Sequence, residues 1–316
     1  MYNKYIFGTP VNYIRSKIVI LPIPFDGTSS YRKYSQNAPY KILEASNQVD
    51  LFDIDFGNLY RRNVYMEKIS PLIIKINKYI LSIQKKFSQS FDAVEKINAI
   101  MSTNNNFIYK WTLNALNAGK IPILLGGEHS IIFGAIQACF NVYKNKELSI
   151  LHFDAHSDMR LKYDGFNYSH ASIINNIKNK ISTPKRIIQV GIRDISYNEY
   201  KQIQLSNEIC SFLDKDIRKY KLLGSFDVLS EDIIEKLGDL IYITIDIDGL
   251  DIPYCSNTGT PVPGGLNFDH IIHILSNIKK KKKQIIGADI CETSSSTLDS
   301  IVSMRLLYKL TGVLSF

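Results

Sequence analysis

The sequence predicts an α/β protein built on a parallel sheet that helices cover on both faces. Short apolar runs rich in β-branched residues recur along the 316-residue chain, and longer segments with helical periodicity separate them. These runs are continuous instead of alternating, as expected when neither face of a strand meets water. No repeat, low-complexity linker or abrupt change in composition divides the chain, so we expect a single doubly wound domain over residues 1–316.

The elements alternate between strand and helix along the chain. Continuous apolar runs predict seven strands, at Lys17–Phe25, Ile121–Leu125, Leu148–Phe153, Arg186–Val190, Glu208–Leu213, Leu240–Asp246 and Gln284–Ala288. Helical periodicity predicts eight helices, at Ala38–Ser46, Pro71–Phe87, Phe107–Ala118, Ile131–Tyr143, Ser169–Ile177, Glu231–Leu237, Phe268–Lys280 and Leu298–Leu310. Residues 47–69 match neither pattern, so no element is predicted there.

Composition and segment length exclude several classes of protein. Hydrophobic residues make up 45% of the chain and charged residues 22%, which excludes a disordered or fibrous protein. The apolar run Ile18–Phe25 is far shorter than the ~20 residues that span a bilayer, and the residues before it lack the pattern of a secretion signal. The four cysteines form no CxxC pair, which argues against a disulfide framework and a thiolate zinc site. We therefore expect a cytoplasmic protein that does not contact membranes.

The net charge of +8 is concentrated in the lysine run Lys279–Lys283. Such a run could bind nucleic acid, but lysines at the end of a predicted helix also suit the negative end of the helix dipole and a solvated face. No aromatic-rich RNA-binding motif or recognition helix accompanies the run. We therefore favour the structural interpretation and expect no nucleic-acid partner.

The strongest chemical signal is the segment LSILHFDAHSDMR, residues 148–160, where an apolar strand leads into Asp154, His156 and Asp158. The two-residue spacing of an extended chain would place these three side chains on one face. The alternative is a polar strand end with a solvated turn. Because parallel sheets bind ligands beyond the carboxyl ends of their strands, we favour a metal site.

Two further segments supply side chains of the same kind. IYITIDIDGLD places Asp246 and Asp248 at the end of another apolar strand, although Asp-x-Asp alone could also form a turn or a helix cap. IPILLGGEHS places His129 after a Gly-Gly turn, where a lone histidine is often structural and a glycine-rich turn could hold a phosphate. Neither a Walker loop nor a Rossmann fingerprint is present. In combination with the first segment, both become candidate metal ligands.

A fourth segment, DICETSSS, places Glu292 after the last predicted strand. Glu292 could cap the next helix, or it could attract a cationic substrate. The six candidate ligands comprise two imidazoles, four carboxylates and no thiolate, which favours Mn²⁺, although Fe²⁺, Co²⁺, Ni²⁺ and Zn²⁺ are chemically possible. Four crowded carboxylates repel one another unless cations neutralise them, and two divalent ions supply that charge. Two adjacent ions point to hydrolysis as the reaction class.

These segments, in this order, resemble the ureohydrolase family of arginases and agmatinases. The resemblance extends from VILPIPFDGTSSYR through GGEHS, HFDAHSD, SHAS, GIRD, IDIDGLD and NTGTPVPGG to ICETS, and so covers most of the chain. It implies a three-layer α/β/α sandwich around a parallel sheet of eight strands. It also implies two Mn²⁺ per subunit and a homo-oligomer, either a trimer or a hexamer.

The resemblance assigns a role to each site residue. It makes His129, Asp154, Asp158 and Asp246 ligands of one manganese, and His156, Asp154, Asp246 and Asp248 ligands of the other. In such enzymes a metal-bridging hydroxide attacks a guanidinium carbon. Asp158 would accept a hydrogen bond from it and pass on a proton, His170 would shuttle protons or touch substrate, and Glu292 would face the guanidinium. The loop with Thr258–Pro261 and Gly264–Gly265 would frame the site.

The resemblance also implies a small guanidino substrate. Arg160 stands two residues after Asp158, where arginases usually have Asn, and the segment NYSHAS resembles the corresponding segment of agmatinases. The resemblance therefore makes agmatine the first choice of substrate, with urea and putrescine as products. Residues 33–39 replace a glycine-containing stretch common in agmatinases, and Glu128 replaces their usual Asp. Other tails, namely 4-guanidinobutyrate, arginine and formimidoylglutamate, are the nearest alternative. A single-zinc deacetylase or a non-catalytic family member is more remote.

Overall fold

Eight parallel strands form one sheet in the computed structural model, which describes residues 5–87, 90–144, 146–182 and 185–314. The strand order is β4-β1-β5-β10-β9-β6-β7-β8, and a short antiparallel hairpin, β2-β3, lies apart from it. The strands are β1 (Ile18–Ile23), β2 (Phe52–Asp53), β3 (Gly57–Asn58), β4 (Val64–Met66), β5 (Ile121–Gly126), β6 (Leu148–Phe153), β7 (Lys185–Ile192), β8 (Ile209–Leu213), β9 (Leu240–Asp246) and β10 (Gln284–Cys291).

Helices cover both faces of this sheet. They are α1 (Ala38–Ala45), α2 (Pro71–Phe87), α3 (Phe91–Asn117), α4 (Phe133–Val142), α5 (Ile173–Lys180), α6 (Tyr197–Gln204), α7 (Asp214–Leu222), α8 (Phe226–Lys236), α9 (Ile252–Cys255), α10 (Phe268–Lys280) and α11 (Thr297–Val313). One buried apolar cluster joins the sheet to α1, α7, α8, α10 and α11. A second joins its other face to α2 through α6. The predicted α/β/α layering and the sheet of about eight parallel strands are therefore confirmed.

All seven predicted strands are present, as β1 and β5 through β10. Except in the edge strand β8, their central residues are buried, which explains why the sequence shows unbroken apolar runs. The eighth strand, β4, lies in the stretch where no element was predicted. It lies at the edge of the sheet, and its apolar run Val64–Met66 has only three residues, which is too short to predict a strand.

The helices agree less well with the prediction. The helix α3 begins at Phe91, sixteen residues before the predicted start at Phe107. The prediction started late because the run Asn104–Asn106, in the middle of the helix, favours helix poorly. The helices α6 and α7 were not predicted. Both are mostly polar, and α7 buries only Asp214 and Ile217, so neither shows a wide apolar stripe.

The lysine run at the end of α10 is tied to the protein surface. The Nζ of Lys279 donates a hydrogen bond to the carbonyl of Gly312 over 2.8 Å, and that of Lys283 donates to the carbonyl of Leu237 over 2.7 Å. These contacts agree with a structural role for part of the run. Among the described residues, no helix is both long and apolar enough to cross a membrane.

Candidate metal centre

The predicted site residues meet at one edge of the sheet, where four adjacent strands end. Strands β5, β10, β9 and β6 are neighbours in that order, and being parallel they place their carboxyl ends together. His129 opens a short 3₁₀ helix after β5, Asp154 directly follows β6, and Asp246 is the last residue of β9. Asp248 lies in the 3₁₀ helix Ile247–Gly249, and Glu292 follows β10.

The Gly-Gly turn after β5 sets the position of His129. A Cβ atom on Gly127 would lie 1.9 Å from the carbonyl oxygen of Phe25, which no side chain can tolerate. The backbone N–H of Glu292 donates a hydrogen bond to the carbonyl of Gly127 over 2.8 Å. The turn therefore links the ends of β1, β5 and β10 around His129.

The first group of side chains surrounds the Nδ1 atom of His129. This atom lies 2.9 Å from Oδ2 of Asp158, 3.2 Å from Oδ2 of Asp154 and 3.7 Å from Oδ2 of Asp246. The three carboxylates are each exposed by 5% or less. A buried imidazole nitrogen facing three carboxylate oxygens is a donor set suited to a divalent cation.

The second group lies beside the first and shares Asp154 with it. The Nδ1 atom of His156 is 3.2 Å from Oδ2 of Asp248 and 3.5 Å from Oδ1 of Asp154. Asp154 thus directs one oxygen to each group. The backbone N–H of Asp248 donates to Oδ1 of Asp246 over 2.9 Å, which holds the two β9 carboxylates together.

The carboxylates repel one another strongly in this buried setting. Burial, followed by the charges of Asp248 and Asp154, raises the pKa of Asp246 well above its ordinary value. Burial and Asp154 likewise raise the pKa of Asp158. Burial acts to raise the pKa of Asp154 too, but the neighbouring histidines outweigh it and hold that pKa well below the usual range. Bound cations would relieve this repulsion, so the residues present fit a pair of divalent ions.

The side chains converge for a different reason from the predicted one. The strand β6 ends at Phe153, so the alternation of an extended strand does not orient Asp154, His156 and Asp158. The chain turns instead: the N–H of His156 donates to Oδ1 of Asp154 over 2.6 Å, and Asp158 adopts a left-handed conformation with φ of 54°. Glu292 is also left-handed, with φ of 59°. Such backbone is costly for residues other than glycine and often occurs at functional sites.

His170 and Glu292 lie beside the two groups, His170 in the cleft that His156 and Asp158 also line. The Nδ1 atom of His170 lies 3.0 Å from the carbonyl oxygen of Thr28, and its Nε2 lies 3.2 Å from Oγ of Ser30. Burial acts to lower the pKa of His170, but contact with Glu128 raises it to about 9. Glu292 accepts a hydrogen bond from the backbone N–H of His129 over 2.9 Å. Burial raises the pKa of Glu292 to about 8.

The predicted loop after α9 also contacts the site. The hydroxyl of Thr258 donates to the carbonyl of Glu292 over 2.8 Å, and that of Thr260 donates to Oδ2 of Asp248 over 3.3 Å. Arg193, in the GIRD segment, donates to the carbonyl of Asp248 over 2.6 Å and to that of Val262 over 2.8 Å. Arg193 therefore ties this loop to the end of β9.

Several residues that touch the candidate ligands were not predicted. The Nε2 of His152 lies 2.8 Å from Oδ2 of Asp154, and the Nε2 of His129 lies 2.7 Å from the hydroxyl of Thr244. That hydroxyl donates in turn to Asp289 over 2.8 Å. The available signal was a polar residue inside an otherwise apolar strand, since His152, Thr244 and Asp289 interrupt the runs of β6, β9 and β10.

Comparison with known proteins agrees with this geometry. A model of the arginase family matches residues 16–311. The chain belongs to the arginase family. It is an agmatinase-like ureohydrolase, a hydrolase, and its structural neighbours include both agmatinases and arginases.

Relatives in the arginase family match along nearly their whole length. An uncharacterized 32.2 kDa protein of Methanothermus fervidus is 30% identical over 97% of this chain and 91% of its own. The N(1)-aminopropylagmatine ureohydrolase of a Synechocystis strain is 25% identical over 95% of this chain and 90% of its own. The crystal structure of the agmatine ureohydrolase of Thermoplasma volcanium matches with a TM-score of 0.76 and 26% identity, over 98% of this chain and 94% of the other.

Proposed function

We propose that this protein hydrolyses the guanidinium group of agmatine to urea and putrescine with the help of two Mn²⁺ ions. The observation that carries the proposal is the position of Asp154, which directs one oxygen to each of two adjacent His/carboxylate groups. His129, Asp154, Asp158 and Asp246 would hold one ion, and His156, Asp154, Asp246 and Asp248 the other. When bound, such ions supply positive charge and lower the pKa of a water molecule.

Charge favours a cationic substrate at this site. The four metal-binding carboxylates balance two divalent ions, which leaves the buried Glu292 and Glu128 with His170 as their shared cationic neighbour. Burial raises the pKa of Glu292 to about 8; His170 acts to lower this pKa and Glu128 acts to raise it. A guanidinium beside Glu292 would offset this negative charge, whereas a neutral amide would not.

The hydrogen bonds of His170 define which of its atoms exchanges protons. The carbonyl of Thr28 can only accept, so the Nδ1 of His170 carries a hydrogen. The Nε2 atom, next to the Ser30 hydroxyl, is left to take up or release a proton in the cleft. Asp158 lines the same cleft, and it would pass a proton to the leaving amine.

The cleft favours a tail that carries an amine. Arg160 lies 3.6 Å from Glu199 and over the ring of Tyr163 at 4.7 Å, so its charge is already partnered. Asp194 lines the cleft with a side chain that is 70% exposed; its Oδ2 lies 3.8 Å from Nε2 of His156, and within the described ranges no lysine or arginine pairs with it. A terminal ammonium is the natural partner of this carboxylate.

A second candidate substrate is N(1)-aminopropylagmatine, which the names of several relatives specify. It has the same reacting group and a longer cationic tail. Asp194 lines the cleft and is largely exposed, which leaves room for such a tail beside it.

Urea release from a panel of guanidino compounds tests the proposal. Protein loaded with Mn²⁺ should release urea from agmatine or N(1)-aminopropylagmatine with a higher kcat/KM than from arginine or 4-guanidinobutyrate. The variant Asp194→Asn should lower that preference by weakening the reaction of the cationic substrates, without lowering urea release from 4-guanidinobutyrate, whose carboxylate the aspartate would repel. Absence of urea from every compound, despite full metal loading, would refute the proposal.

A further inference from the structure

A row of polar side chains crosses the apolar interior of the sheet directly beneath the candidate metal centre. Neighbouring strands place these residues in register, so that each pairs with the next across the sheet. The row consists of Ser211 on β8, Gln189 on β7, His152 on β6, Thr244 on β9 and Asp289 on β10. All but Ser211 are fully buried, although a parallel sheet covered on both faces normally has apolar residues at such positions.

The orientation of the Gln189 amide follows from its neighbours. Its Nε2 lies 2.8 Å from the carbonyl oxygen of Ser157, which can only accept a hydrogen bond. Its Oε1 accepts from the hydroxyl of Ser211 over 2.7 Å. The atom of Gln189 that faces Nδ1 of His152, at 3.1 Å, is therefore an amide donor.

This donor fixes the tautomer of His152. Its Nδ1 must accept from Gln189, so the hydrogen of the neutral ring resides on Nε2. That atom lies 2.8 Å from Oδ2 of Asp154 and donates to it. His152 also lies close enough to His129, Asp154 and Asp158 to serve as a metal ligand, since one ligand atom from each lies within 4.8 Å of the others. A protonated Nε2 has no lone pair for a metal, so this atom can only donate.

We propose that Gln189 is a positioning residue that acts through His152 on Asp154, the carboxylate shared by the two metal-binding groups. By holding the hydrogen of His152 on Nε2, Gln189 prevents the imidazole from competing as a third nitrogen ligand. The N–H at Nε2 of His152 then donates to Oδ2 of Asp154, occupies one lone pair of that oxygen and fixes the orientation of the carboxylate. Groups that orient a ligand in this way commonly change metal affinity when they are removed. The inference rests on the proposed metal-dependent function.

The tautomer is measured on the metal-free wild-type protein by long-range ¹H–¹⁵N correlation NMR of labelled histidines. We expect the His152 spectrum of a neutral ring with hydrogen on Nε2 and none on Nδ1. A ring with hydrogen on Nδ1 would overturn the inference, whatever the protein does with metals. This arm needs no variant, so a folding defect cannot obscure it.

Titration with Mn²⁺ alone provides the second arm. Gln189→Met keeps the length of the side chain and removes its donors, and we expect it to weaken Mn²⁺ binding roughly 10- to 100-fold. The matched control is Gln137→Met, the same change at an exposed position of α4, which should leave the affinity unchanged. A folded Gln189→Met protein that binds Mn²⁺ as tightly as the wild type would contradict the inference. Failure of the wild type itself to bind Mn²⁺ would instead count against the proposed function, while the NMR arm still decides the inference.

Discussion

The variant Glu128→Gln tests the electrostatic support of His170. Glu128 is fully buried, accepts hydrogen bonds from the N–H and the hydroxyl of Thr28 over 2.7 Å each, and lies 3.5 Å from Nδ1 of His170. Burial alone would lower the pKa of His170, yet Glu128, with smaller contributions from Glu292 and Asp158, raises it from 6.5 to about 9. A rise of that size corresponds to about 3 kcal/mol in favour of the protonated ring in the folded state.

The pH dependence of this stabilisation follows from the direction of the shift. Because the folded pKa lies above the unfolded one, the contribution is fully present below pH 6.5 and is lost as the pH rises through 9. Glu128 is the largest source of the rise, so Glu128→Gln should cost roughly 1–2 kcal/mol more at pH 6 than at pH 10. The loss of charge-assisted bonds to Thr28 adds a cost that varies little with pH.

Urea-induced unfolding of the metal-free protein at pH 6 and pH 10 measures this difference. In a double-mutant cycle with His170→Asn, the pH-dependent part should become smaller, because the asparagine does not titrate and only the repulsion between Glu128 and the titrating Glu292 remains. An equal destabilisation at both pH values, or a pH-dependent part that is undiminished in the His170→Asn background, would refute the reasoning.

Three further changes probe the rest of the site. Glu292→Gln should raise KM for agmatine at least about tenfold and leave the Mn²⁺ content unchanged. The reason is that the guanidinium loses a charge-assisted hydrogen-bond partner. An unchanged KM would contradict this role. Asp248→Asn should reduce the number of bound Mn²⁺ ions from two to one, as measured by elemental analysis. The reason is that the carboxylate of Asp248 contacts the histidine of only one group, His156. Retention of both ions would argue against the assignment. Gly127→Ala should lower the free energy of unfolding by roughly 3 kcal/mol or more, as measured by chemical unfolding. The added Cβ would lie 1.9 Å from the carbonyl oxygen of Phe25. A loss below about 1 kcal/mol would contradict this expectation and show that the turn relaxes.

Sequence patterns identified the strands of the sheet better than the helices. Strands buried on both faces leave an unbroken apolar run, which is a signal that tertiary context reinforces. The edge strand β4 was missed because it is only three residues long. The helices α6 and α7 were not predicted because most of their residues are at least partly exposed and form no wide apolar stripe. Their formation depends more on capping residues and on the connections to neighbouring elements. Ser196, for example, forms a capping box with Glu199 at the start of α6.

The site was predictable where polar residues follow strands, as at Asp154 and Asp246. The resemblance, and not the residue pattern alone, pointed to His170 and gave Glu292 its role, because each is a single polar residue in a loop. The local conformation of Asp158 was not predictable, since a left-handed aspartate depends on surrounding contacts. His152 and Gln189 were missed because a polar residue inside a strand has no partner that a single sequence can identify.

In the proposed site, six side chains from three strand ends hold two adjacent cations. Elemental analysis of the protein, saturated with Mn²⁺ and then freed of loosely bound metal, measures this number of ions. We expect two tightly held ions per chain. A wild-type protein that retains one ion or none, while remaining folded, would contradict it.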